Sequence, residues 1–202
     1  MRGIWQRTGC SPSNSDVERA VLLTLFLLSS CSWLERSAEP PASTLTSYPL
    51  QTPGSYGGTF TGQQLLEGEY EGRRMQLQTY VEIDADQIVI VGLTPWQTRA
   101  FTIHYDGQQL DFENLTQRDM PFPPALILSD VQQVLWPVLP NTAQWRVEDD
   151  VQPRQRRVYF QDQLVTRIQY DGPPTSPHNV TLQNFRYGYQ LQIRILQAEE
   201  LG

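Results

Sequence analysis

The chain has 202 residues, with Arg as its only strongly basic side chain, an excess of Asp and Glu, and a formal net charge of −7. That length suits one domain with tails. The acidity leaves no basic face to neutralise phosphates, which argues against a nucleic-acid partner. Two cysteines, Cys10 and Cys31, cannot build a disulfide framework or a four-thiolate zinc site.

The amino terminus reads as an address. Arg2, Arg7 and Arg19 form a weakly basic leader diluted by Asp16 and Glu18, and Ala20–Leu28 follows with only Thr24 polar. Such a run is too short to span a bilayer, and no other apolar run is long enough, but it suits the apolar region of a secretory signal. It ends in Leu28-Ser29-Ser30-Cys31, which resembles the lipobox of bacterial lipoproteins. Small residues before the cut and a thiol to alkylate are what that processing requires. The resemblance implies a signal peptide over residues 1–30, handling by the lipoprotein processing and sorting machinery, and Cys31 as a lipidated amino terminus. Multiple acyl chains on one residue give stable membrane attachment. Ser32 rather than Asp after the cysteine implies the outer membrane, with the domain facing the periplasm. The alternatives are an ordinary secretory signal or a small buried helix. Residues 31–58 hold Pro40, Pro41, Pro49, Pro53, Gly54, Gly57 and Gly58 with no regular period, and read as a tether.

From residue 59 to 202 the chain reads as a single β-rich domain. In Met75–Ile83 the odd positions are Met, Leu, Thr, Val and Ile, and the even ones Gln, Gln, Tyr and Glu. One face is apolar and one wet, as in an antiparallel strand buried on one side. Tyr189–Ile195, Leu164–Tyr170 and Phe101–Tyr105 repeat the pattern. Glu71-Gly72, Asp84, Thr94-Pro95, Asp106-Gly107, Asp162, Asp171-Gly172 and Gly188 supply hairpin turns between them. About ten strands are predicted, near 60–70, 74–83, 87–93, 97–105, 108–113, 143–149, 155–160, 163–170, 179–186 and 189–197.

One stretch breaks the alternation. Ile127, Val131, Val134 and Val138 recur at helical steps after Pro121-Phe122-Pro123-Pro124. Ser129 with Gln132 offers a capping box, so the helix starts either near Ala125 or only there. Pro137 ends it. The fold class predicted is mainly β: a curved antiparallel sheet or half-open barrel of about ten strands, with one short helix as lid or plug. Because one helix cannot shield ten strands, curling of the sheet must supply the remaining cover.

Leu65–Tyr70, Val91–Pro95 with Arg99–Phe101, Tyr105-Asp106-Gly107, Asp130–Pro137 and Phe185–Tyr189 together resemble a group of uncharacterised bacterial lipoproteins. Their domain is similar to the lipoprotein carriers LolA and LolB. The resemblance covers residues of about 60–197. It implies a LolA/LolB-like fold and a role near lipids or polyenes of the outer envelope, since members of the group often neighbour aryl polyene biosynthesis genes. The carriers hold acyl chains under several helices, whereas a single helix is predicted here.

Trp96, Phe101, Leu126, Leu128, Leu135, Trp136 and Trp145 are the candidates for lining a hydrophobic ligand cavity, because pockets for apolar ligands are walled this way. Ordinary core packing explains the same residues. His104 and His178 lack companions at ligand spacing, so no metal is expected. No cofactor is expected either. Asp84 with Asp86 reads as a turn, and Glu148-Asp149-Asp150 as a solvated loop. Arg154, Arg156 and Arg157 read as an exposed hairpin edge or a contact for anionic headgroups. No nucleophile elbow, phosphate loop or dinucleotide fingerprint occurs. The favoured expectation is a non-enzymatic lipoprotein that binds or shuttles an acyl or polyene lipid. The alternatives are an assembly lipoprotein that binds a protein partner of the envelope, or an enzyme of the same pathway.

Overall fold

A computed structural model describes residues 47–116, 119–152, 154–173 and 177–201; the leader, Cys31 and the first part of the tether lie outside these residues. Ten strands form one sheet. They are β1 (Thr59–Tyr70), β2 (Arg73–Ile83), β3 (Ile88–Leu93), β4 (Arg99–Tyr105), β5 (Leu110–Asn114), β6 (Trp145–Val151), β7 (Arg154–Phe160), β8 (Gln163–Tyr170), β9 (Asn179–Asn184) and β10 (Tyr189–Leu201). The single described α-helix, α1 (Pro124–Leu135), separates β5 from β6.

The order across the sheet is β5-β4-β3-β2-β1-β10-β9-β8-β7-β6, with the paired strands antiparallel. The first and last strands therefore pair at the centre, and β5 and β6 are opposite edges of a curved, unclosed sheet. The mainly β architecture read from the sequence, one curved antiparallel sheet of ten strands with one helix among the described residues, is the one observed. Local chemistry sets the hairpins. Glu71 and Gly72 both have positive φ (50° and 72°), as do Gln161 and Asp162 (48° and 63°), the conformation that two-residue hairpin turns require. Register shifts after Gln63, Gly92 and Val158 add a residue to one strand and bend it.

The alternation holds across the sheet. Val81, Ile83, Ile88, Ile90, Ile103, Ile168 and Leu182 are buried on the inner face. On the outer face, Gln183 of β9 donates to Gln190 of β10 at 2.9 Å and Thr181 to Gln192 at 2.9 Å, while Gln97 of the β3–β4 turn donates to Gln78 of β2 at 2.6 Å.

Helix α1 begins at Pro124, whose fixed φ and missing N–H suit the first helical position. It does not begin at Ser129. That side chain is buried and donates to the Tyr48 carbonyl at 3.1 Å, while Gln132 serves the Gln51 backbone. The predicted capping box is thus occupied by long-range bonds. The helix ends at Leu135, so Val138, which continues the helical spacing, is exposed beyond it.

The tether expectation over 31–58 does not hold for its last part. Residues 47–58 pack along α1 on the side away from the cavity described below. Gln51 and Gln132 exchange two hydrogen bonds, N–H to Oε1 at 2.8 Å and Nε2–H to carbonyl at 2.7 Å. Tyr48, only 1% exposed, meets the Trp145 ring edge-on at 5.5 Å and donates to the Pro140 carbonyl. Tyr56 stacks edge-on against Trp136 at 5.3 Å, and Trp136 Nε1 donates to Ser55. Pro and Gly signal the lack of a period, not the lack of packing. Two tyrosines supply the cover that one helix cannot.

Candidate functional site

The stripe Ile127, Val131, Val134 on α1 faces the centre of the sheet across an apolar cavity of about 120 Å³. Its floor is the inner face of the central strands, with Leu66 from β1, Leu77 from β2, Ile90 from β3 and Leu191 from β10. Phe101 closes one side. Met120 and Phe122, from the segment entering α1, close another. Phe122 is sandwiched between Tyr70 and Tyr189, at ring distances of 4.8 and 4.6 Å, which ties that segment to both central hairpins. A void of this kind loses dispersion contacts unless something fills it.

The predicted cavity residues separate into three groups. Phe101, Leu126 and Leu135 line the cavity. Leu128, Trp136 and Trp145 are buried but belong to the core outside it; Trp136 and Trp145 pack against residues 47–58. Trp96 is 83% exposed in the turn between β3 and β4, so it is neither core nor cavity. Aromatic identity alone did not reveal that Trp96 falls on the turn itself, between Pro95 and the positive-φ Gln97.

The residue that sequence reasoning missed is Asp130. It lies three residues after Ile127 and four before Val134, so it places a carboxylate on the apolar stripe; that conflict was the available signal. Asp130 is buried on the cavity wall. Tyr189 of β10 donates its hydroxyl hydrogen to Asp130 Oδ2, and Asn184 Nδ2 donates to the Tyr189 oxygen at 3.1 Å. Burial pushes the Asp130 carboxyl up to about 7, against the lowering effect of the Tyr189 bond. Burial, followed by the neighbouring Asp130 charge, raises Tyr189. The tyrosine therefore stays a donor at any neutral pH.

A second buried polar group fixes the helix. Arg156 of β7 is 2% exposed, which corrects the exposed-edge reading. Its guanidinium donates to the carbonyls of Gln133, Trp136 and Pro137 at 2.8, 2.7 and 3.2 Å, at the negative end of α1. Asp149 of β6 holds the same guanidinium through bonds of 2.6 and 3.1 Å. Arg157 pairs with Glu148 and Asp150. The three acids read as a solvated loop are instead on β6: Glu148 and Asp149 face Arg157 and Arg156 of β7, and Asp150, opposite Gln155, also pairs with Arg157. Opposite charges on paired strands explain both clusters at once. His104 accepts or donates one bond with Gln87 at 2.8 Å, and Asp84 receives the N–H groups of Asp86 and Gln87 as a turn residue.

No curated protein matches the chain by sequence. Among solved structures it is similar to a LolA superfamily protein from Nitrosomonas europaea, at 10% identity over 70% of this chain and 86% of that one, with a TM-score of 0.43. It is also similar to a domain from Vibrio parahaemolyticus described as an outer membrane lipoprotein-sorting protein, at 8% identity over 71% and 85%, with a TM-score of 0.42. A third similar structure is a DUF1329 family protein from Desulfovibrio piger, at 10% identity over 74% and 93%, with a TM-score of 0.35. A family model matches residues 61–197, from early β1 to late β10 and thus over well more than half of the chain, and the chain belongs to that family, described as a protein of unknown function (DUF3261).

Proposed function

We propose that this chain is a lipoprotein anchored in the outer membrane through Cys31, facing the periplasm, whose domain binds or shuttles a hydrophobic acyl or polyene lipid without catalysing a reaction. The observation that carries the reading is the apolar cavity between α1 and the central strands. Its volume of about 120 Å³ is near that of apolar cavities of ~150 Å³ that stay dry and take up benzene. The space accepts a ring or a short stretch of chain, each buried methylene contributing about 0.8 kcal/mol. A longer chain enters only if Phe122 or α1 moves off the sheet. The Pro-rich residues before Ser47 fit a tether that lets an acidic domain stand off an anionic membrane, with lipid rather than charge as the attachment.

The test is native mass spectrometry of residues 32–202 recovered from envelope extract, with displacement of an apolar dye in parallel. A co-purifying lipid that competes with the dye supports the reading. No bound lipid together with no dye binding refutes it. Anchoring is tested separately: Cys31→Ala must block processing and release the protein from sedimented membranes.

A further inference from the structure

The cavity wall is not uniformly apolar: among the described residues Gln64, Thr79 and Asp130 bring polar side chains to it, and of these only Asp130 leaves a buried atom without a partner. Four buried side-chain atoms lack a hydrogen-bond partner among the described residues: Thr102 Oγ1, Asp130 Oδ1, Gln133 Oε1 and Arg157 Nε. Of these four residues only Asp130 belongs to the cavity wall. A buried carboxylate oxygen left without a donor is costly, on the order of the desolvation penalty of the group. The other oxygen is already occupied by Tyr189, which is itself held by Asn184, so the carboxyl cannot rotate away without breaking that chain. Among the described residues, the ionisable groups that interact with Asp130 are Tyr189 of β10 and Tyr187 of the turn before it, and neither supplies a cation. In the ionised carboxylate, a donor for Oδ1 is therefore one that comes with whatever fills the cavity, reaching this covered atom as the wall side chains shift.

We infer that Asp130 is the polar recognition point of this cavity, and that its ligand is an apolar molecule carrying one hydrogen-bond donor, a hydroxyl or an N–H, delivered to Asp130 Oδ1. The inference rests on the proposed function and deepens it: the preferred lipid has a donor where its apolar body begins, and a pure hydrocarbon leaves Oδ1 stranded. Arg156 cannot take this role, because its guanidinium is already spent on Asp149 and the end of α1.

The test compares two isomers that differ only in the donor, 1-hexanol and methyl pentyl ether. They are titrated calorimetrically at pH 8.5, where the Asp130 carboxyl is ionised, into residues 32–202, which contain the whole compact unit Leu45–Gly202. The alcohol is expected to bind the wild type about tenfold more tightly than the ether, the value of one net hydrogen bond. In Asp130→Asn the amide keeps an acceptor for Tyr189 and presents N–H toward the cavity, so the preference should fall to about onefold. Trp96→Ala, remote and exposed, should keep the full preference. Equal binding of both isomers to the wild type overturns the inference and leaves the lipid-binding reading standing. The same overturning result is a preference that survives in Asp130→Asn. Binding of neither isomer defeats the cavity reading and the inference with it.

Discussion

Arg156→Met tests how the helix that roofs the cavity is held. Methionine keeps the approximate volume and removes the charge and all donors. Three carbonyls, those of Gln133, Trp136 and Pro137, lose bonds of 2.7–3.2 Å. Each stranded buried acceptor costs about 1–3 kcal/mol, and the favourable cation at the helix end is lost as well. Two effects reduce the total. The variant no longer has to bury a guanidinium, and Asp149, whose side chain is 53% exposed, rehydrates when its partner leaves. The net expected loss is about 2–4 kcal/mol. For a domain of this size that lowers Tm by about 4–16 °C. Urea and thermal unfolding followed by near-ultraviolet circular dichroism measure it. Arg156→Lys keeps the charge without the planar fork and should recover part of the loss. Asp149→Asn should cost no more than about 1 kcal/mol, since a half-exposed partner is screened. The same Arg156→Met protein should bind an apolar dye more weakly, because Val134 and Leu135 sit on the freed end of α1. A change below about 0.5 kcal/mol would mean that water replaces the guanidinium at the helix end, and the capping argument would be wrong.

Three further predictions concern the cavity and its surroundings. The folded-state pKa of Asp130 is raised from 3.8 to about 7, so the native state holds the proton more tightly than the unfolded chain. Its contribution is complete below about pH 4 and is lost as pH rises through about 7, a change on the order of 4 kcal/mol. Asp130→Asn should therefore match the wild type near pH 4 and exceed it at pH 8, in urea melts across that range; parallel curves would refute the assignment. Comparing the two proteins cancels Asp84, Asp106 and Asp171, whose carboxyls are held low by backbone N–H bonds and act in the opposite sense under acid. Gly92→Ala would place a Cβ closer to the Phe101 ring than real Cβ atoms come, so the ring must move. A loss of about 1–3 kcal/mol, accompanied by altered dye affinity, is expected, and an unchanged affinity would show that Phe101 does not shape the cavity. Trp96→Ala should change stability by less than about 0.5 kcal/mol despite removing the largest side chain type, because the residue touches solvent rather than core.

The number, order and approximate bounds of the strands were legible because a period of two is written residue by residue, and because Gly and Asp mark each turn locally. The helix was legible for the same reason, up to Pro137. What periodicity reports is the face a side chain occupies, not what it meets there. Leu126 and Leu128 looked alike in the sequence, yet only Leu126 reaches the cavity. Trp96 and Phe101 belong to neighbouring runs, and one is in solvent while the other walls the site.

By itself the sequence determined a one-sided antiparallel sheet with a single helix, since alternation, turn residues and proline act over a few positions. Only the tertiary structure decided which polar groups are buried and with whom. Arg156 finds its carbonyls about twenty residues back in the chain, Asp130 finds Tyr189 fifty-nine positions away, and Gln132 finds Gln51 eighty-one positions away. A charged or amide side chain reads as exposed until a partner is supplied, because burial without one is prohibitive. Such partners come from strands and segments that only the closing of the fold brings together. The same closing pins residues 47–58 against α1 and leaves, on its other side, the space beneath Ile127 and Val134.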